Sequence, residues 1–430
     1  MKKNNNNNIG NGISNEGSYR FLAKDYAISD NEYETGLNNL DLIIGAPGAG
    51  KSSGYIFPLL EHGKNSMVVM DTKGILNKKY SQYLKMNGFR VSTIDFVRPR
   101  KTDVYNMLDY VGKKMVKGRD GTKSCQYSQK DIKTIVSVLL QPEMFNDDEF
   151  WIKSGQQVIT ALIAYVFEVL PESEQNMVSV TRLFLEMNRQ FSQREMRISF
   201  FEELREENPD SYAVSVYDMF VNTVISEKTW VCIGQFVSNA LDPFIIPEYQ
   251  PMFAGKSSVR FEDLGRRRTV MFVNTSDSDE SMDSIVNVFY KQLFQSLMAE
   301  ADAQDDGRLK VPVRIVMDDF ASRLAIPGFD RLISVIRSRG IYTSLILQDI
   351  AQLETMYKPA QARVIVSTCD IKIFIGPQDE ASADYVARFV GCLPERVRCM
   401  GRDDLWLLIR GQAPRRLKRI NPYSKDEIVE

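Results

Sequence analysis

Histidine is nearly absent: the chain carries one, His62. That removes a reading which Gly50-Lys51-Ser52-Ser53-Gly54 would otherwise invite, because its G-x-S-x-G pattern is that of a hydrolase elbow. Such a triad needs a histidine well beyond the nucleophile. His62 follows Ser52 by only ten positions (62 − 52), on what reads as the same helix, and is expected to pack or face solvent. Cysteine is also sparse. Five residues, at 125, 232, 369, 392 and 399, show no zinc spacing, and an odd count argues against a disulfide framework. They read as reduced cytosolic thiols. Excess charge of either sign is missing too: 54 Lys and Arg face 56 Asp and Glu, a net charge of −2. A broad cationic coat for nucleic acid is thereby excluded, and any such contact must be local. Long apolar runs are missing as well. The longest, Val158 to Phe167, is closed by Gln157 and Glu168, whereas a membrane-spanning helix takes ~20 residues. The start, Met1-Lys2-Lys3 followed by five asparagines, has no apolar signal region and reads as a flexible leader.

What is present is a soluble-type composition, 43% apolar and 26% charged, over 430 residues, enough for two or three domains. Leu42-Ile43-Ile44, Ser66 to Val69 and Val91 to Ile94 are short apolar strands with helical stretches between them. This pattern predicts a parallel sheet covered on both faces. From about 106 to 245 strand signal fades. Helices are expected at Asp131 to Leu140, Asp148 to Leu170, Val178 to Gln190 and Ser199 to Glu207. Strands return at Thr269 to Val273, Val313 to Met317, Thr343 to Leu347, Ile371 to Ile375 and Leu405 to Ile409. The expected organisation is an α/β P-loop core in two parts, 18–105 and 246–430. An all-α insertion, 106–245, interrupts it, and a leader over 1–17 precedes it.

The chemistry is concentrated in Gly45-Ala46-Pro47-Gly48-Ala49-Gly50-Lys51-Ser52, a match to G-x-x-x-x-G-K-[ST] between a strand and a helix. Glycines let backbone N–H groups close around phosphates, and the helix N-terminus adds partial positive charge. Lys51 is expected at the β- and γ-phosphates of ATP, and Ser52 on Mg2+; Ser53 completes the turn. Val313-Arg314-Ile315-Val316-Met317-Asp318-Asp319 ends an apolar strand in two carboxylates, expected beside the loop. Asp318 is the candidate metal ligand, through water, and Asp319 the candidate base or water-positioning group. Asp71 and Lys73, in Asp71-Thr72-Lys73-Gly74, fall where α/β sheets bind ligands, or else form an ordinary turn. Gln348 ends another strand and could sense the γ-phosphate. Arg337 and Arg339 are either arginine fingers or a solvated helix end. The runs Arg266-Arg267-Arg268 and Arg415-Arg416-Leu417-Lys418-Arg419 either touch DNA or are solvated.

In order, the glycine loop, Asp71-Thr72-Lys73-Gly74, Tyr105-Asn106, Phe150-Trp151, Asp318-Asp319-Phe320-Ala321, Ile326-Pro327, Ile336 to Gly340 and Leu347-Gln348 occur together. This arrangement resembles the TraG/TraD-like coupling proteins of conjugative type IV secretion systems, over roughly 18 to 410. The resemblance implies a RecA-like motor with an inserted all-α domain, working as a ring, usually a hexamer. Such a motor docks a relaxase–DNA complex, the DNA expected to be single-stranded, and drives the strand into the secretion channel. DNA-stimulated ATP hydrolysis is expected, and a cytoplasmic position, peripheral at the inner face of the cell membrane. Rival readings are an FtsK/HerA-like translocase and a nucleotide-binding docking adaptor that hydrolyses little. The chain departs from the family pattern at four places. The usual N-terminal anchor is missing, so direct membrane insertion is not expected. The second strand-end acid is Asp319 rather than glutamate, Ile75 replaces a glutamate, and Ser322-Arg323-Leu324 replaces Asn-Ile-Gly.

Overall fold

A computed structural model describes residues 17–117, 123–141, 149–193, 197–223, 227–320 and 326–422. The Asn-rich leader up to residue 16 and the Ser322-Arg323-Leu324 departure lie outside the described residues. The strands, in chain order, are β1 (Tyr19–Ala23), β2 (Tyr26–Ser29), β3 (Asp41–Ile44), β4 (Ser66–Met70), β5 (Arg90–Asp95), β6 (Lys113–Lys117) and β7 (Lys123–Tyr127). They continue as β8 (Thr269–Asn274), β9 (Val313–Met317), β10 (Ile341–Leu347), β11 (Ile371–Ile375), β12 (Asp404–Ile409) and β13 (Arg415–Lys418). The chain folds as two compact units. The first comprises 1–93, 261–277 and 297–430; the second comprises 94–260 and 278–296.

The first unit is built on a nine-stranded sheet of order β13-β12-β11-β3-β10-β9-β4-β8-β5. β11, β3, β10, β9, β4 and β8 run parallel, and β12 and β13 close one edge antiparallel. Every residue of β3, β4, β8, β9 and β10 is buried. That is why they read as continuous apolar runs: a strand covered on both faces has no polar side to alternate with. β1 and β2 form a hairpin that the polar stretch 18–40 does not announce.

The hairpin is tied to the sheet through charge. Arg20 on β1 bonds Asp30 and lies 2.9 Å from Asp41, while Arg314 of β9 reaches Asp41 at 3.0 Å and Asp30 at 3.4 Å. Tyr55, from the helical turn after the glycine loop, donates to Asp41 and sits 2.8 Å from Ser344 Oγ. Both arginines and both carboxylates are buried. Burial alone raises an acid's pKa, but Arg20 and Arg314 outweigh it and hold Asp30 below the usual carboxylate range.

The second unit is mainly helical, with helices Gln129–Leu139, Glu149–Val169, Met177–Ser192, Ser199–Glu207, Tyr212–Val221 and Glu227–Ile245. Side-chain caps start several of them: Ser128 accepts from Asp131 N, Asn176 from Ser179 N and Ser211 from Val214 N. Phe191 stacks on Trp230 at 4.3 Å and Phe201 on Tyr217 at 4.2 Å. Two features differ from the sequence reading. β6 and β7 pair antiparallel, so this part is not wholly helical. The lysine-rich β6 carries no buried apolar face, so its pattern gave no strand period. The unit is also wider than 106–245. Phe96 and Phe289 pack edge to face at 6.1 Å, and Tyr105 and Phe289 at 5.2 Å, which draws in segments on both sides. Among the described residues no helix is long and apolar enough to cross a membrane.

Candidate nucleotide site

Register assembles the site. Ile44 of β3 lies opposite Leu347 of β10, and Met317 of β9 lies opposite Leu345. Gly45, Gln348 and the pair Asp318-Asp319 each follow the last residue of one of these strands, so all emerge at the same carboxyl end of the sheet. The acidic strand is not adjacent to the loop strand, however. β10 runs between them, and Gln348 stands at its tip between loop and carboxylates.

The loop turns sharply: Gly48 and Gly50 hold φ of +76° and +86°, backbone that an L side chain rarely adopts. Gly45 has a different constraint, since a Cβ there would stand 2.9 Å from the Ile375 carbonyl oxygen of β11. Ser52–Ile56 wind as a π-turn before the helix Phe57–His62, whose His62 ring packs on Phe21 at 4.7 Å. His62 is thus an exposed residue that packs on Phe21.

Lys51 curls back over the loop, its Nζ donating to Gly45 O at 2.6 Å and Ala46 O at 3.4 Å. Burial lowers its pKa, partly offset by Asp319 and Asp318. Ser52 Oγ donates to Asp318 Oδ2 at 2.9 Å, joining loop to acidic strand. Burial first, then repulsion from Asp319, pushes the Asp318 carboxyl up to about 6, against the pull of Ser52 and Lys51. Asp319 sits in left-handed backbone, φ +53°, a modest strain for aspartate. Its N–H donates to Asp318 Oδ1 at 3.1 Å, and its Oδ1 accepts from Gln348 Nε2 at 3.4 Å. Lys51, Ser52, Asp318, Asp319 and Gln348 therefore form one constellation. A hydroxyl and a half-buried carboxylate in contact are the donor set for a hard cation that takes its other ligands from phosphate and water. The residues present fit Mg2+ with a nucleotide. Among the described residues no cluster of three or more His, Cys, Asp or Glu offers an independent metal cage.

Other expected residues lie elsewhere. Asp71 accepts from Ile75 N at 3.1 Å and Asn77 N at 2.9 Å, so it caps the helix Ile75–Met86. β4 is three strands from β3 and directly beside β9, so Asp71 leaves the sheet at the same end as Asp318. Lys73 is exposed. Arg337 and Arg339 precede β10 and so stand at the opposite end of the sheet from Gln348. Arg339 Nε bonds Asp302 at 2.7 Å, and Arg337 Nε is 3.9 Å from Glu32. β10 is central, and its full length separates both arginines from the end of the sheet that carries the glycine loop. The basic runs are largely satisfied internally: Arg266 pairs with Glu300 at 2.6 Å, Arg268 covers the Phe89 ring, and Arg416 and Lys418 share Asp404. Arg419 was not separable from that run by sequence, yet it alone lies against the glycine loop.

The family model described as type IV secretory system conjugative DNA transfer matches residues 3–393. Protein VirD4 of Rhizobium radiobacter is 20% identical over 421 residues, an alignment covering 89% of this chain and 57% of that protein. The chain thus spans little more than half the length of the curated relatives it matches. Among solved structures, the unbound bacterial conjugative coupling protein TrwBΔN70 superposes with a TM-score of 0.64 at 12% identity, covering 90% of this chain and 86% of the other. TrwB in complex with ADP and Mg2+ gives 0.62 at 12% identity with the same coverage. At these identities the likeness is one of fold: a RecA-like P-loop core.

Proposed function

We infer the activity from the family: this chain belongs to the type IV secretory system conjugative DNA transfer family, and it carries an intact phosphate-loop constellation. It is an ATP-hydrolysing coupling protein that docks a relaxase–DNA substrate and drives its transfer into a type IV secretion channel. The observation that carries this reading is the contact of Ser52 with Asp318, across a strand tipped by Gln348. TrwB, which shares the fold, binds ADP with Mg2+, and the same ligands suit this donor set. Lys51 leaves the carbonyls of Gly45 and Ala46 to meet the β- and γ-phosphates. Ser52, and Asp318 through a water, would hold Mg2+, which would neutralise phosphate charge. Asp319, steadied by Gln348, orients the attacking water, and an acid–base group of this kind typically contributes ~10²–10⁴-fold. The chain works as a ring, a hexamer by the family's habit, at the cytoplasmic face of the membrane. Arg337 or Arg339 serves a neighbour's nucleotide, since neither reaches its own. The helical unit, which contributes no phosphate-holding motif, is the docking part for relaxase and channel components. Transfer frequency in donor cells carrying only Lys51→Ala tests the reading. Transfer is expected to be abolished with protein levels unchanged; transfer at the wild-type frequency would remove ATP from the mechanism.

A further inference from the structure

The residues after β13 return to the glycine loop. Arg419 N donates to Asp403 O at 2.8 Å, fixing the backbone there. The Arg419 side chain is 11% exposed, with Nη2 2.7 Å from Asp403 Oδ1. Its Nε has no hydrogen-bond partner. Its Nη1 lies 2.5 Å from where a Cβ on Gly50 would stand, and Ser53 Oγ is 3.3 Å from that same point. Ile420 O is 3.1 Å from the corresponding point on Gly54. Glycine at 50 and at 54 is thus what lets residues 419 and 420 lie over the first turn after the loop. A guanidinium is held there, almost buried, with one N–H unspent.

We propose that Arg419 is a nucleotide-binding residue, holding the α- and β-phosphate side of a nucleoside di- or triphosphate against the glycine loop. The proposal rests on the reading of the loop as a nucleotide site and adds to it a ligand from the far edge of the sheet. Position decides which phosphates it meets. Lys51 serves the β and γ end, whereas the loop backbone around Gly50 cradles α and β. Arginine is suited to the contact, since its planar fork bonds phosphate oxygens in pairs. The competitor is weak: Asp403 is half-exposed, its side chain 54% accessible, and exposed ion pairs contribute little. A polyphosphate therefore draws the guanidinium away from Asp403. The contact is also common to ATP and ADP. Charge builds on the β- and γ-phosphate oxygens during γ-phosphoryl transfer and not on the α-phosphate, so the α-phosphate contact of Arg419 contributes uniform binding. Its loss raises KM and leaves kcat in place.

Titration with fluorescent ADP and ATP, together with steady-state hydrolysis, tests this on the full chain. Arg419→Ala is expected to weaken both nucleotides about tenfold or more, the scale of a lost charge-assisted hydrogen bond, with kcat within about twofold. Arg419→Lys recovers part of the affinity. Asp403→Asn, which removes the competitor, binds as well as wild type or better. ADP affinity unchanged in Arg419→Ala while Lys51→Ala loses binding overturns the proposal and leaves the loop reading intact. A loss in Asp403→Asn equal to that in Arg419→Ala also overturns it, because the effect would then be the seating of β13. Unchanged binding in both Arg419→Ala and Lys51→Ala removes the loop reading and this proposal with it.

Discussion

At the residue scale, two groups of charge do different work. Lys51, Asp318 and Asp319 are gathered at the carboxyl end of the sheet for a ligand. Arg20, Asp30, Asp41 and Arg314 are spent on one another under the hairpin β1–β2. Removing one partner from a buried pair typically costs about 3–5 kcal/mol, because the other is left uncompensated. The sign of the pH dependence follows from Asp30, whose folded pKa is depressed. Its contribution is fully present above its unfolded value, about 3.9, and is lost as pH falls through the folded value. Asp30→Asn is therefore expected to be markedly less stable than wild type to urea at pH 7. The two curves should converge as pH is lowered below about 4. A deficit that stays constant down to acid pH would mean the carboxylate charge is not what holds the hairpin. The site residues were partly legible. Gly45 to Ser52 and Asp318-Asp319 announce themselves because phosphate and metal chemistry demand those types in that order. Asp71 does not separate by sequence from a catalytic acid, since a cap and a ligand both want a carboxylate at a strand end. Arg419 is hidden in a basic run whose other members are paired away.

At the scale of elements, legibility followed burial. β9 and β11 match the expected Val313 to Met317 and Ile371 to Ile375, being covered and apolar apart from Arg314 and Lys372. β13 is three-quarters basic with every other residue exposed, and β1 and β2 lie in a mixed polar stretch, so none carries that signal. Strand order is written in no local stretch, and the placing of β10 between loop and acids emerges only from pairing. The same holds for the second unit, where Phe289 lies far along the chain from Phe96 and Tyr105. Excising 106–245 therefore strips the partners from an aromatic cluster that both flanks still carry. The excised protein is expected to bind a hydrophobic dye and elute as aggregate by size exclusion. A monodisperse, cooperatively unfolding product would show that the flanks do not belong to the helical unit.

For the whole molecule, the proposed function makes hydrolysis a property of an assembly. Arg337 and Arg339 face away from their own loop, at the amino end of β10, and an arginine supplied by a neighbour can contribute ~10³–10⁵-fold in rate. Mixing Lys51→Ala protein with an Arg337→Ala, Arg339→Ala double variant, each inactive alone, should restore part of the activity. The mixture pairs an intact loop with intact arginines across an interface. No recovery from rings proven to be mixed would return these arginines to the ion pairs with Glu32 and Asp302. The central claim is that this loop burns ATP in response to DNA. The direct measurement is the ATP turnover of the purified chain with and without single-stranded DNA, at low and at physiological salt, since phosphate contacts weaken steeply with ionic strength. Turnover is expected to rise with DNA, more so at low salt, and to vanish in Lys51→Ala. Turnover that ignores DNA at both salts, or survives in Lys51→Ala, would contradict that claim.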